Sequence, residues 1–276
     1  SYSVTGVQTC ALPIYFLFMF RHTRLNNNWF VRYCDYGRGE RFGFHTEQST
    51  KQWLPATVPG DVHLDLMAAG MIKDPFYGLE SDHCLWMEEK DWWYRTVLSI
   101  PDLERTREQK HILLKFHGLD TFATVYLNGR IIGSHRNMFT PLTIDVTHSL
   151  VAGDNDLRVC LASPAFAPDI HPESLLARTP PQRLCSRKAQ ACYGWDIAPR
   201  LVTIGIWRPV EILFQEQAVI ADSWVRTIQI AESTEVELEI TIANNEEKPQ
   251  ELLVDLAIFD QKRSLPIYLD DSAKRY

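Results

Sequence analysis

The chain has 276 residues, 45% of them hydrophobic and 11% aromatic, which suffices for one large β-domain or two smaller domains. A formal net charge of −7, with no basic run longer than two residues, argues against nucleic acid or an anionic membrane as partner. No stretch approaches the about 18 consecutive apolar residues that a membrane-spanning helix requires, so none is expected.

The first 14 residues, SYSVTGVQTCALPI, do not begin with Met and resemble translated adapter read-through. Residues 1–18 are therefore expected to be a non-native or disordered leader, with Met19 as native start. The apolar run Ile14 to Phe20 lacks the basic flank and small-residue cleavage site of a signal peptide. Cys10, Cys34, Cys84, Cys160, Cys185 and Cys192 form no C-x-x-C pair, so a zinc ribbon or dithiol site is not expected. Reduced, mostly buried thiols fit a cytoplasmic protein, and neither a cofactor nor a metal is predicted.

Trp53 to Gly60 reads as a Pro-punctuated extended segment, and Asp61 to Ala69 as a short helix. Asp61 caps that helix, Gly70 ends it, and Val62, Leu66 and Ala69 share its apolar face. From Trp92 the period changes to two. Trp92–Ile100, His111–Phe116, Thr121–Leu127, Leu142–Val146 and Asp156–Leu161 read as strands, the first of them half-buried. Asn128-Gly129 supplies a two-residue hairpin turn, and Gly153-Asp154-Asn155 a second turn. Pro164 to Pro181 reads as a long loop, after which Leu201–Ile206 and Val210–Phe214 return to strand character. Evenly spaced short strands predict an all-β fold, a β-sandwich or jelly roll. Near Glu216 a second unit begins. Ser223–Ile230, Glu235–Ala243 and Leu252–Phe259 alternate, with Val236, Leu238, Ile240 and Ile242 on one face. These few strands predict a partial immunoglobulin-like sandwich, which needs about seven. The expected division is 19–216 for the jelly roll and 217–276 for the incomplete second domain.

Arg187 to Val210, RKAQACYGWDIAPRLVTIGIWRPV, carries one acid, two tryptophans, three arginines and one lysine between apolar runs. An aromatic face beside a carboxylate suits a sugar, because the ring covers pyranose C–H surface and the carboxylate accepts from hydroxyls. Trp195 and Asp196 are the candidate binding residues. The alternative is an aromatic corner in which Asp196 caps a turn.

These pieces occur in the order found in the N-terminal part of β-mannosidases of glycoside hydrolase family two, which the chain resembles. The residues that carry the likeness are Val58 to Gly78, Trp92 to Thr96, Phe116 to Gly129, Asp145 to Val159 and Arg187 to Val210. The resemblance implies a galactose-binding-like jelly roll, an immunoglobulin-like domain and then a (β/α)8 catalytic barrel. It implies a retaining exo-hydrolase releasing terminal non-reducing β-D-mannose, with two glutamates of the barrel about 5–5.5 Å apart. By that likeness the chain stops before the barrel, carries no catalytic carboxylate and is inactive alone. Its partners are a β-mannoside or manno-oligosaccharide and the barrel of the same polypeptide. The loop around Asp196 then reaches into the sugar pocket, where Asp196 binds hydroxyls of the terminal mannose and Trp195 shapes the wall. The family usually has an aromatic residue where Ile197 stands and Gly where Ala198 stands. Competing expectations are a free-standing carbohydrate-binding module, or a fragment of an exo-β-glucosaminidase or endo-β-mannosidase.

Other residues read as structural. Glu88 and Glu89, taken as strand neighbours, point to opposite faces and cannot be a catalytic pair. His63 reads as a surface residue, Trp92, Trp93 and Tyr94 as packing, and Arg187 and Lys188 as residues that orient the loop through salt bridges.

Overall fold

The computed structural model describes residues 21–100, 111–170, 181–215, 218–230, 234–244, 248–258, 261–269 and 274–275. The leader with Cys10, residues 171–180 of the expected loop and residues 245–247 of the expected turn lie outside them. The chain divides into two compact units, Arg21–Phe214 and a second beginning at Gln215.

The first unit is a sandwich of two antiparallel sheets. Strands β1 (Arg21–Arg24), β12 (Val210–Gln215), β5 (His111–Phe116) and β8 (Leu142–Asp145) form one sheet in that order. The other runs β3 (Leu54–Ala56), β2 (Trp29–Asp35), β4 (Lys90–Ile100), β9 (Gly153–Ala162), β6 (Phe122–Leu127), β7 (Arg130–His135). Alternation aims Ile112, Leu114 and Phe116 of β5 at Trp92, Tyr94, Val125, Leu157, Val159 and Leu161 of the facing sheet. This is the all-β sandwich that the strand spacing predicts, in the jelly-roll form that the resemblance implies. Asn128 and Gly129 take φ of 51° and 79° in the turn between β6 and β7, as an Asn-Gly hairpin turn requires.

Three expectations about strands need correction. Strand β4 is buried on both faces from Asp91 to Thr96, not half-buried. The segment 37–53 folds back over its outer face, where Phe44 and Trp53 form a second cluster with Cys34, Trp93, Tyr126 and Cys160. Arg158, 1% exposed, pins that cover by donating to the carbonyl oxygens of Phe44 and Glu47. Gly39 lies against the Trp93 indole, and a Cβ there would clash with the ring. Second, Gly153 to Asn155 open β9 instead of forming a separate turn. The buried Asn155 side chain makes the turn locally, accepting from Val151 N at 2.8 Å and donating to Val151 O at 2.8 Å. Third, Leu201–Ile206 is extended but is not a strand of either sheet; it is held by an Asp120–Gly205 bridge and by the Ile204 and Ile206 carbonyls, which accept from Val62 N at 3.0 Å and Gly60 N at 2.9 Å.

Helix α1 (Val62–Ala68) forms where the Asp61 cap places it, with Asp61 Oδ1 accepting from His63 N at 2.8 Å. Its buried residues are Val62, His63, Asp65 and Leu66; Ala69 is exposed, because the helix ends there and Gly70 takes φ of 70°. His63 is 7% exposed, not a surface residue, since its Nδ1 sits 2.7 Å from Asp61 Oδ1.

In the second unit β13 (Ala218–Ile230) pairs with β14 (Thr234–Asn244), which also pairs with β17 (Lys274–Arg275). Strands β15 (Gln250–Ile258) and β16 (Gln261–Leu269) form a second hairpin. Ile240, Ile242 and Leu269 are buried together, with Leu238, Leu252, Val254 and Ile267 packed around them. These are the immunoglobulin-like strands. Strand β16 escapes a reading by periodicity because Pro266 and four consecutive polar residues, Gln261 to Ser264, interrupt it.

Candidate functional site

The candidate residues stand at the end of a small hairpin that the period-two pattern does not reveal. Strands β10 (Tyr193–Trp195) and β11 (Ala198–Arg200) pair through Tyr193 with Arg200 and Trp195 with Ala198, leaving Asp196 and Ile197 as the connecting residues. Gly194 takes φ of 94°, a conformation that a side chain resists, so the glycine permits the bend that precedes Trp195. Pro199 lacks a backbone donor and sits on the exposed second strand.

The tip is open to solvent: Trp195 is 62% exposed and Ile197 93%. Asp196 is exposed as well, and among the described residues no donor reaches its carboxylate. It does not cap its own turn, which is what the structural alternative requires. The Arg183 guanidinium of the short helix α2 (Pro181–Leu184) lies 5.4 Å from the Trp195 ring centroid, a cation–π contact that fixes the indole from one side. Arg183 is itself held by Gln190, whose Oε1 accepts from Arg183 Nε at 2.9 Å.

Beneath the tip the hairpin is anchored three times. Arg200 donates to Glu88 Oε1 at 2.8 Å and lies over the Tyr193 ring at 5.4 Å. Glu88 belongs to a 3-10 helix, Asp82–Glu89, and not to a strand, so the opposite-face argument does not apply to it; its carboxylate is committed to Arg200. Tyr193 is 7% exposed, and burial pushes its hydroxyl up to about 12. At the foot, Lys188 Nζ lies 2.5 Å from Asp120 Oδ1 and 2.5 Å from Thr203 O, with the Lys188 and Asp120 side chains 0% and 2% exposed. The salt-bridging part expected of Lys188 is therefore present, but inside the protein. Arg187 contributes through its backbone, its carbonyl accepting from Met138 N at 3.0 Å.

Beside β11 runs a groove of about 450 Å³. Leu64 and Met67 of α1, Phe76, Ala198, Pro199 and Leu201 give it an apolar wall, with Asp61, His63 and Thr203 along one side. The carboxylates near it already have partners: Asp61 accepts from Ile204 N at 2.8 Å, and Asp65 from Thr57 N at 2.8 Å. Sequence reasoning did not find the Asp120–Lys188 and Glu88–Arg200 pairs. Their members are 68 and 112 positions apart, and nothing local marks them.

The chain is similar to known proteins over this same region. The model of the family described as glycosyl hydrolase 2 galactose-binding domain-like matches residues 42–208. A beta-mannosidase B of Aspergillus terreus is 39% identical over 189 residues, 66% of this chain and 22% of its own. A beta-mannosidase B of Thermothelomyces thermophilus is 33% identical over 245 residues, 86% of this chain and 27% of its own. The crystal structure of a beta-D-mannosidase from Dictyoglomus thermophilum matches 92% of this chain and 30% of its own with a TM-score of 0.75 and 30% identity. The chain thus spans about a quarter of the length of the two fungal relatives, 22% and 27%.

Proposed function

The chain belongs to the glycosyl hydrolase 2 galactose-binding domain-like family, and on that premise we propose that it is the N-terminal part of a retaining exo-β-mannosidase. The substrate is a terminal, non-reducing β-D-mannose residue, and the two carboxylates of the double displacement lie on a further domain of the polypeptide. Asp196 accepts hydrogen bonds from hydroxyls of the bound mannose, and Trp195 forms a wall of its pocket. One observation carries this reading: Asp196 and its neighbour Trp195 are both exposed at the tip of a hairpin, and the Asp196 carboxylate makes no hydrogen bond to the described residues. A carboxylate left free of protein donors at the tip of an anchored hairpin is what recognition of a hydroxylated ligand requires.

A hydrogen bond to a charged group is worth about 1.5–3 kcal/mol. In the complete polypeptide, Asp196→Ala should lower kcat/KM for an aryl β-mannoside by roughly one to two decades, at ~1.4 kcal/mol per decade. Wild-type kinetics in that variant would sink the assignment. The 276-residue chain alone should release no mannose, since the reaction needs both carboxylates. The exposure of Trp195 also suits a free-standing carbohydrate-binding module. Saturable binding of manno-oligosaccharides to this chain in calorimetry would favour that reading instead.

A further inference from the structure

We infer that Lys188, with Asp120 and Thr203, is the positioning centre that sets where the Trp195–Asp196 tip stands. The inference rests on the proposed role of Asp196 and adds to it the residues through which that role is held.

Lys188 enters the segment that carries the hairpin, and Thr203 leaves it. The Lys188 ammonium donates to Thr203 O at 2.5 Å and to Thr203 Oγ1 at 3.1 Å, so one side chain ties the two feet together. Thr203 Oγ1 in turn donates to Asp120 Oδ2 at 2.7 Å, and Lys188 donates to Asp120 Oδ1 at 2.5 Å. Asp120, in the connection between β5 and β6, also holds the departing segment through its backbone, its N–H donating to Gly205 O at 2.9 Å and its carbonyl accepting from Gly205 N at 3.3 Å. The three groups thus form a closed ring of charge-assisted bonds at the foot of the hairpin, and they join it to the connection between β5 and β6. Higher up, Leu201 N donates to Cys192 O at 3.0 Å and the β10–β11 pairing follows.

A buried lysine is an expensive way to hold a loop, because an apolar side chain fills the same space without desolvating a charge. What it adds is direction. The bonds fix both feet in one arrangement, whereas apolar packing tolerates several. Displacement of a binding group by about 1 Å costs up to 100-fold in rate, so orientation at the foot has a reading at the tip.

The test is a pair of double-mutant cycles in the complete polypeptide, read as kcat/KM for an aryl β-mannoside. Lys188→Met and Thr203→Val are each combined with Asp196→Ala. Thr203→Val keeps the ion pair and removes only the bridging hydroxyl, so it decides the matter if Lys188→Met does not fold. The expected result is a loss of about tenfold for each foot variant in the wild-type background, shrinking below about twofold when Asp196 is already alanine. A merely structural role gives the same loss in both backgrounds, and that outcome overturns the inference while leaving the role of Asp196 intact. Wild-type kinetics for the foot variants, with Asp196→Ala impaired, overturns it too. An Asp196→Ala enzyme of wild-type activity fails at the earlier step and removes the proposed function itself.

Discussion

The foot and the tip of one hairpin stand in opposite environments. Asp120, Lys188 and Tyr193 are 2%, 2% and 7% exposed, and the two charges have partners on several sides. A few residues away Trp195 and Ile197 are 62% and 93% exposed, and Asp196 between them has no hydrogen bond to the described residues. The same polypeptide segment therefore separates two tasks. Charge inside the protein has become geometry, and charge outside it is left for something else to meet.

That separation breaks first at the foot. Asp120→Ala strands the Lys188 ammonium in the interior, and removal of one member of a buried pair costs about 3–5 kcal/mol. Urea unfolding of this chain should show that loss; a change under about 1 kcal/mol would mean that the foot is not what holds the segment.

A smaller effect comes from Asp65, which lies on α1 close behind the Asp61 that receives Ile204 N. Burial, aided by the neighbouring Asp61 charge, pushes the Asp65 carboxyl up to about 6. Its Oδ2 is buried without a hydrogen bond. The folded state therefore holds the proton more tightly than the unfolded chain, whose value is near 4. Between those values stability falls as pH rises, and above about 6 the cost is complete. Asp65→Asn removes the titration. Melting curves should show wild type losing ground to Asp65→Asn between about pH 4 and 6, by at most about 3 kcal/mol. Parallel curves across that range would refute the assignment.

The least effect belongs to the tip. Ile197→Ala touches a side chain with almost no cover, so the stability of this chain should move by less than about 0.5 kcal/mol. A larger drop in melting temperature would show that the tip packs on something and is not free.

What the sequence made legible was whatever repeats locally. Val236, Leu238, Ile240 and Ile242 announce their strand, Asn128-Gly129 its turn and Asp61 its helix. The double burial of β4 was hidden, because it depends on Phe44 and Trp53 folding back from a segment with no period of its own. The candidate pair Trp195 and Asp196 could be named from chemistry, yet their display on a hairpin could not. Three-residue strands carry too little alternation, and Gly194 and Pro199 read as breakers. Lys188 was picked out, but its burial depends on Asp120, 68 positions away, and no local signal conveys that.

The segment folded over the six-stranded sheet has a consequence for recognition. Many sandwiches greet a polymer with the open face of a sheet, along which successive monomers can lie. Here Phe44, Trp53 and the Arg158 guanidinium occupy that face, and the donors of Arg95 and Arg158 already end on Asp156 and backbone carbonyls. A long glycan laid across this sheet would meet that cover where Phe44 and Trp53 pack against Trp93 and Tyr126. Under the proposed role of Trp195 and Asp196, recognition then falls to a two-residue hairpin tip, which is too short to follow the length of a polymer.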